Sequence, residues 1–326
     1  MSLSCRVTRG DITESIHVAF AVVVDENNKT IFSTGDSQYI TCIRSSLKPF
    51  QAAAVVKSGA IESAGFNDKE LALMCASHKG EKVHVETAMS MLHKLGMRIE
   101  DYECGAHLPS DKATRYSMLE QGKVATSIHN NCSGKHAGML ALSKHLDVVT
   151  KGYVQKNHPV QRTIKEYICS ITGLNDIPME IDGCSVPTYF MSLQTIASMF
   201  QVLAMEGKPE ITRVFKAMVS HPDMIGGTNH FDSLFISALM GRGVTKVGGE
   251  SICGIALKTK KYGPIGISMK ILDGSFRSMP IAVMKLMEHL DLLSDDEVAM
   301  LEKFRTKIIK NHNGIEVGKI EVYVDF

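Results

Sequence analysis

The alternation of apolar and polar positions predicts β-strands toward both ends of the chain. Residues 17–24 are apolar and rich in β-branched side chains, and the polar residues 25–28 separate them from a second apolar run at 30–33. Two such runs joined by a short polar turn are typical of a β-hairpin. Further strands are predicted at 252–258, 264–271 and 320–324.

The middle of the chain shows the three- and four-residue apolar spacing of helices. Pro49 fits the first turn of a helix, where its missing N–H costs nothing, so a helix is predicted from there to Gly59. Another helix is predicted near 277–292, and Ser294 and Glu297 form a capping box that opens one more. The same spacing predicts helices at 68–75, 82–95, 133–146, 159–172, 190–206, 209–219 and 231–240.

Strands at both ends around a central helical block indicate an α+β fold. The N- and C-terminal segments are expected to share one antiparallel sheet. Neither a repeat nor a low-complexity tract nor an obvious linker divides the 326 residues. A single domain spanning residues 1–326 is therefore predicted.

Composition narrows the class of protein. Apolar residues make up 44% of the chain, charged residues 22%, and the net charge is +1, which is ordinary for a soluble globular protein. Lys and Arg are spread along the chain, which excludes the basic footprint of a nucleic-acid-binding protein. No apolar run has membrane-spanning length, and residues 1–14 contain no apolar signal-peptide core. We therefore expect a cytoplasmic protein with neither a nucleic-acid nor a membrane partner.

The eight cysteines are scattered along the chain without a Cys-x-x-Cys pair. In a reducing compartment this pattern predicts free thiols, a few of them in metal or redox roles.

Ser45 and Lys48 form a Ser-x-x-Lys motif at a predicted helix start. This spacing puts the hydroxyl and the ammonium one turn apart on one face, where a lysine that has lost its proton can activate the serine as a nucleophile. Penicillin-binding proteins and class A β-lactamases use the same spacing. Taken alone, the motif is more typical of an N-capping serine followed by a surface lysine.

Two other segments combine residues that suit a site loop. Residues 75–81 place a thiol, the Ser77 hydroxyl, an imidazole and a carboxylate beside a glycine, although an inter-helix loop in which Ser77 caps a helix has the same pattern. Residues 130–138 run directly into an apolar helix, whose N-terminus can bind a carboxylate or an oxyanion, or lower the pKa of a cysteine. The spacing of a phosphate-binding loop is missing there, which excludes a nucleotide site.

Cys184, in the segment 182–187, follows Cys132 by 52 residues, too far for a local zinc finger. The fold can still bring the two together, and the alternative is a buried free thiol in a turn. Residues 104–109 are interpreted as a structural turn. Lys246 opens either a plain glycine-rich turn or an element like the Lys-Thr-Gly of β-lactamase-type enzymes, which lies on an edge strand.

Taken in order, these motifs resemble the asparaginase II family, the thermolabile, rhizobial-type L-asparaginases. The resemblance covers nearly the whole chain, and six or more ordered motifs are specific even though each is weak alone. The segments that carry it are RSSLKP at 44–49, CASHKGE at 75–81, CGAHLP at 104–109, NNCSGKHAGML at 130–140, DGCSVP at 182–187, KVGGE at 246–250 and DG at 273–274.

This resemblance implies a single asparaginase II-type domain with a fold akin to serine β-lactamases and glutaminases, assembled as a homodimer. It also implies the hydrolysis of L-asparagine to L-aspartate and ammonia. By position, the catalytic residues would be the nucleophile Ser45 with its base Lys48, and a second pair, Ser77 and Lys246, for which Lys258 and Lys270 are alternative lysines. The substrate would be held by Arg44, Asn131, His136 and Asp182, and Zn²⁺ by Cys132, Lys135 and Cys184.

The chemistry of these residues is compatible with that assignment. Amide hydrolysis needs a nucleophile, an activator and donors for the developing oxyanion. Two cysteines are natural zinc ligands, whereas a lysine must first lose its proton. Since a serine nucleophile is already present, the hypothesis is that zinc orients the substrate.

Two alternative functions are compatible with parts of the pattern. A β-lactamase-like or penicillin-binding-like acyl-transfer enzyme would hydrolyse a chromogenic β-lactam, but it leaves the two cysteines and Lys135 unexplained. A non-catalytic zinc- or amino-acid-binding protein would tolerate the loss of Ser45 or Lys48. Ammonia release from asparagine distinguishes both from an asparaginase.

Overall fold

The computed structural model describes residues 2–325. The strands, numbered along the chain, are β1 (Ser2–Arg9), β2 (Ile12–Val24), β3 (Thr30–Thr34), β4 (Ile40–Cys42), β5 (Met179–Ile181), β6 (Pro187–Ser192), β7 (Gly243–Gly248), β8 (Ile252–Thr259), β9 (Gly263–Ile271), β10 (Lys307–Lys310) and β11 (Glu316–Asp325). The helices are α1 (Lys48–Ser58), α2 (Ala60–Ala64), α3 (Asp68–Met74), α4 (Lys82–Leu95), α5 (Lys112–Glu120), α6 (Ser133–His145), α7 (Pro159–Thr172), α8 (Leu193–Met205), α9 (Pro209–Ser220), α10 (Pro222–Gly226), α11 (Phe231–Ala238), α12 (Met279–His289) and α13 (Asp295–Met300).

The chain divides into two compact units, each built from separate stretches of sequence. Unit 1 comprises the residues up to Thr41, then Met191–Met205, then the residues from Ala238 onward. Unit 2 comprises Cys42–Phe190 and Glu206–Ser237. The single domain predicted for residues 1–326 stays a prediction.

Unit 1 is built on an antiparallel sheet whose strand order is β10-β11-β1-β2-β9-β8-β7, with β3 paired to β2. N-terminal and C-terminal strands therefore lie side by side, which confirms the predicted α+β architecture. Helix α8 packs against β8 and β9. A Cβ at Gly266 in β9 would lie 1.9 Å from the Ala197 carbonyl oxygen, so glycine permits this close approach.

Unit 2 is mostly helical, and α6 lies at its centre. Every residue from Ser133 to Ser143 is buried, and α1, α2, α3, α4 and α7 all pack against this helix. A helix enclosed on all sides needs apolar or small residues around its whole circumference, which is what the segment contains. The polar residues in its first turn are therefore buried together with the apolar ones.

Most predicted elements are confirmed, including the hairpin of β2 and β3 and the capping box at Ser294. The predicted helix at 190–206 was wrong at its start, because Pro187–Ser192 form β6 and α8 begins only at Leu193. Thr188, Tyr189 and Phe190 are strand formers, and β6 pairs with β5. Strand β1 was not predicted, although Leu3, Cys5 and Val7 alternate inward along it.

None of the eight cysteines, all of which lie within residues 2–325, forms a disulfide, as predicted. Every helix in the described part of the chain falls short of the length and apolar character that a membrane crossing requires.

Candidate active site

Ser45 and Lys48 lie where a short 3-10 helix, Arg44–Leu47, runs into α1. The Lys48 side chain is 1% exposed, so the alternative of a surface lysine is wrong. Its ammonium donates to the Ala76 carbonyl and lies 3.0 Å from the Ser77 hydroxyl. Lys48 therefore contacts the second candidate nucleophile, while the side chain of the half-buried Ser45 makes no hydrogen bond within residues 2–325.

Ser77 lies in the loop between α3 and α4, and its backbone N–H donates to the Ile225 carbonyl at 2.9 Å. The alternative in which Ser77 caps a helix is wrong, because Glu81 is the N-cap residue of α4. Ser77 is half-buried, and its hydroxyl is bound to Lys48. The segment is therefore a loop that brings a hydroxyl to a buried cation.

His78, beside Ser77, is fully buried and has both ring nitrogens occupied. Its Nδ1 accepts from the Gly80 N–H at 3.1 Å, so in the neutral ring Nε2 carries the proton and donates to Ser133 Oγ at 2.9 Å. Burial lowers the pKa of His78 well below its usual value, and His84 and Lys48 act in the same direction. A neutral His78 in this tautomer cannot take a proton from Ser133, which excludes it as the base for that hydroxyl.

The start of α6 is held by the loop at 104–109. The Asn130 amide donates to the carbonyls of Cys104 and Gly105 at 2.9 and 3.2 Å, and its oxygen accepts from the Cys132 N–H at 2.9 Å. The half-buried Asn131 accepts from the Cys132 thiol at 3.3 Å through its side-chain oxygen. The structural role predicted for the loop at 104–109 is thus observed.

Cys132, Lys135 and Cys184 are brought together in unit 2, although 52 residues separate the two cysteines. Each of the three side chains is 4% exposed, and Lys135 Nζ lies 2.9 Å from Cys184 Sγ. The neighbouring Cys132 holds the pKa of the Cys184 thiol well below its usual value, with Lys135 acting in the same direction and burial opposing both. Burial lowers the pKa of Lys135, but the two sulfurs more than offset it, so its pKa is raised. The two shifts together favour an ion pair between the Lys135 ammonium and the Cys184 sulfur.

This donor set fits a zinc ion. Two sulfurs and an amine that has lost its proton make three ligands and leave an open tetrahedral position. Within residues 2–325, no three His, Cys, Asp or Glu side chains are placed to hold a metal, so a three-ligand set at this cluster would have to include Lys135. The adjacent His136 Nε2 is a buried polar atom with no hydrogen-bond partner in the same part of the chain, and such an atom is rare in a folded protein and needs an explanation.

Arg44 and Asp182 form an ion pair at the edge of this cluster, with Arg44 Nε 2.7 Å from Asp182 Oδ1. Arg44 has a positive φ of 49°, and Ser185, in the turn that follows Asp182, has a φ of 75°. Non-glycine residues in this region are strained, and such strain concentrates at functional sites. The turn places Cys184 two residues from the Asp182 carboxylate.

Lys246 lies on β7, at one edge of the unit 1 sheet, as predicted for a Lys-Thr-Gly-like element. It is fully buried and donates to the Val247 carbonyl at 2.7 Å. The strand register puts Lys258 and Lys270 on the same sheet face. Lys270 is 6% exposed and burial lowers its pKa, whereas Lys258 lies half-buried at the far end of β8. The second Ser–Lys pair stays a prediction.

Sequence reasoning missed several residues around these groups. Ser133 is the buried hydrogen-bond partner of His78, and Tyr153 is the partner of His136. Ser133 lies within the motif at 130–138, so the sequence could have indicated it as a candidate site residue. Tyr153 carries no local signal, since its contact with α6 depends on how the chain folds back.

The chain resembles one known protein family in sequence and several solved structures in fold. The family model for L-asparaginase II matches residues 5–322. No curated protein matches the chain. Among solved structures, the β-lactamase from Sphaerobacter thermophilus aligns at 12% identity and a TM-score of 0.45, over 85% of this chain and 92% of that one. The chromosome-encoded β-lactamase of Vibrio parahaemolyticus aligns at 15% identity and 0.43, over 85% and 95%. Structural similarities of this strength carry no information about activity.

Proposed function

The chain belongs to the L-asparaginase II family, and we propose that it hydrolyses L-asparagine to L-aspartate and ammonia. The observation that carries the proposal is the buried Lys48, whose ammonium lies 3.0 Å from a serine hydroxyl in a half-buried loop. Burying a lysine away from water costs free energy. A buried lysine that is hydrogen-bonded to a serine hydroxyl is typical of a site with an activated nucleophile.

In the proposed reaction, neutral Lys48 takes the proton of the Ser45 hydroxyl, directly or through Ser77. The Ser45 oxygen then bonds to the side-chain amide carbon, the C–N bond breaks, and the lysine returns the proton to the leaving NH₂ group as ammonia. Water attacks the resulting ester by the same route and releases aspartate. The hydrogen bond between Lys48 and Ser77 supports a role for Ser77 in this proton transfer.

Arg44 is proposed to hold the carboxylate of the substrate and Asp182 its ammonium group. In each case the side chain carries the charge opposite to that of the group it would bind. Asn131, half-buried and bonded to the Cys132 thiol, is proposed to offer its amide N–H₂ group to the substrate. Zn²⁺ held by Cys132, Lys135 and Cys184 would act as a Lewis acid that orients the substrate when bound. By family resemblance, the protein is proposed to be a homodimer, which light scattering after size exclusion would test.

The deciding experiment measures ammonia release from L-asparagine by the purified full-length chain. Lys48→Met is expected to lower kcat by a factor of about 10² to 10⁴, the usual contribution of a general base. Lys57→Met is the matched control, because Lys57 is an exposed lysine on the same helix. If no ammonia is released with or without added zinc, the proposed function is refuted.

Two comparisons separate the roles within the site. Ser45→Ala is expected to abolish activity and Ser77→Ala to reduce it. An inactive Ser77→Ala with an active Ser45→Ala would reverse the assignment of the nucleophile. Removal of zinc is expected to raise KM with kcat unchanged, and a fall in kcat alone would contradict the orienting role.

A further inference from the structure

His136 lies in the buried first turns of α6, next to Lys135, and its ring is tied to a distant tyrosine. His136 Nδ1 lies 2.6 Å from the Tyr153 hydroxyl oxygen, and both side chains are fully buried. The same oxygen accepts from the Glu103 N–H at 3.0 Å. The Gln161 side chain donates to the Tyr153 carbonyl at 2.8 Å and holds that backbone in place.

The hydrogen bonds of the Tyr153 hydroxyl determine which nitrogen of the His136 imidazole carries the proton. The oxygen already accepts the Glu103 N–H, and its own O–H needs an acceptor. Within residues 2–325 the acceptor found for it is His136 Nδ1. If Nδ1 carried the proton instead, the buried O–H would lack a partner, which is unfavourable in a protein interior. The neutral ring therefore has a bare Nδ1 and a proton on Nε2.

His136 is a neighbour of Cys184, and because Tyr153 occupies Nδ1, Nε2 is the ring nitrogen left for the cysteine cluster. This atom is buried without a hydrogen-bond partner in the described part of the chain. Burial lowers the pKa of His136, and the neighbouring Cys184 acts in the opposite direction. Within residues 2–325, His136 and the two cysteines do not form a group of three side chains placed to hold a metal. An N–H aimed at a thiolate is a favourable, charge-assisted contact.

We propose that Tyr153 and His136 are positioning residues, in which Tyr153 fixes the His136 tautomer so that its Nε2–H is presented to the Cys184 sulfur. The inference rests on the proposed function, in which Cys184 is a metal ligand. Groups that hydrogen-bond to ligands orient them and tune their affinity for the metal. The role differs from the substrate contact that the family resemblance implied for His136, whose ring is fully buried.

The first test reads the tautomer directly in the metal-free, full-length chain. Long-range ¹H–¹⁵N spectra of the histidine rings are expected to show His136 protonated at Nε2, with Nδ1 bare. In Tyr153→Phe the preference for this tautomer is expected to be lost. A wild-type ring protonated at Nδ1 would overturn the proposal, whatever the metal content of the protein.

The second test measures the affinity for Zn²⁺ alone, by competition with a chromophoric chelator. Tyr153→Phe is expected to weaken binding by about 10- to 100-fold, as is usual for groups that support a ligand. Tyr102→Phe is the matched control, because Tyr102 is also buried and its hydroxyl has no partner in the described residues. Equal affinities of the two variants would overturn the proposal.

Variants of His136 itself provide a second test that still applies if Tyr153→Phe fails to fold. His136→Gln keeps an N–H donor near the position of Nε2, so it is expected to bind zinc more tightly than His136→Phe. Equal binding by both would contradict the role of the N–H. If the wild-type chain binds zinc and releases ammonia while these variants bind equally well, the inference alone fails. If the wild-type chain does neither, the proposed function fails first.

Discussion

Gly134 lies in the first turn of α6, where this helix crosses α3, and its replacement by alanine tests how the site is held. A Cβ at Gly134 would lie 2.3 Å from the Leu73 carbonyl oxygen and 2.6 Å from Leu73 Cγ. Ordinary contacts between non-bonded heavy atoms are near 3.5 Å, so α6 would have to move away by roughly 1 Å. Because the obstacle includes backbone, a rotamer change cannot relieve it.

The magnitude follows from two opposing effects. Overpacking of this kind costs up to about 3 kcal/mol. Replacing glycine by alanine within a helix gains about 1 kcal/mol of helix propensity. The net loss expected for Gly134→Ala is therefore about 2 kcal/mol.

Gly138, one turn later in α6, is the matched control. Its Cβ would meet Met74 Cε at 2.3 Å, which is the flexible end of a side chain that can turn aside. The same gain of about 1 kcal/mol in propensity then offsets the cost of moving Met74, so Gly138→Ala is expected to be close to neutral.

The assay is thermal unfolding of both variants, followed by circular dichroism. For 326 residues, each contributing about 2.1 cal/mol/K to the entropy of unfolding, a difference of about 2 kcal/mol corresponds to a Tm about 3 °C lower for Gly134→Ala than for Gly138→Ala. Ammonia release should also fall more in Gly134→Ala, because Leu73 lies four residues before Ser77, whose hydroxyl contacts Lys48. If the two variants had the same Tm, the close approach of α6 to α3 would not be what excludes a side chain at Gly134.

Three further predictions concern other parts of the chain. Ser185→Gly should stabilise the protein by about 0.5–1 kcal/mol in urea unfolding, because serine is strained at a φ of 75°; a loss of stability would contradict this. Arg242→Ala should cost about 2–3 kcal/mol, since Glu297, 3% exposed, loses its paired guanidinium; a neutral result in the same assay would show that the pair contributes nothing. Burial raises the pKa of Cys5 to about 12, so iodoacetamide at pH 8 should modify the half-buried Cys169 long before Cys5, as mass spectrometry of the peptides would show; the reverse order would refute the burial argument.

The local elements of the fold could be predicted from the sequence because their signals are local. Helices at 82–95 and 159–172 match the observed α4 and α7 in bounds, since apolar periodicity and the residues at each end define a helix within its own length. The β2–β3 hairpin follows in the same way from two apolar runs and a polar turn. Where strand-forming residues precede a helix without a break, as at Pro187–Ser192, periodicity alone misplaced the boundary.

The family was also readable in the sequence, and its motifs named the candidate catalytic residues. Ser45, Lys48 and Ser77 lie in ordered motifs, and the L-asparaginase II match extends over residues 5–322. The sequence did not show which serine contacts Lys48. The spacing of one helical turn favoured Ser45, whereas the packing of α1 against the loop after α3 brings the Ser77 hydroxyl to 3.0 Å from the Lys48 ammonium.

The tertiary structure alone decided which partners the buried polar groups have. Cys132 and Cys184 lie 52 residues apart, and they meet through Lys135 only because α6 and the turn after β5 pack in one unit. Tyr153 carries no motif, yet its hydroxyl determines which nitrogen of His136 holds the proton. The physical reason is that a periodic pattern specifies which face of an element is buried, whereas a hydrogen bond within 3 Å depends on how separate elements are arranged in space.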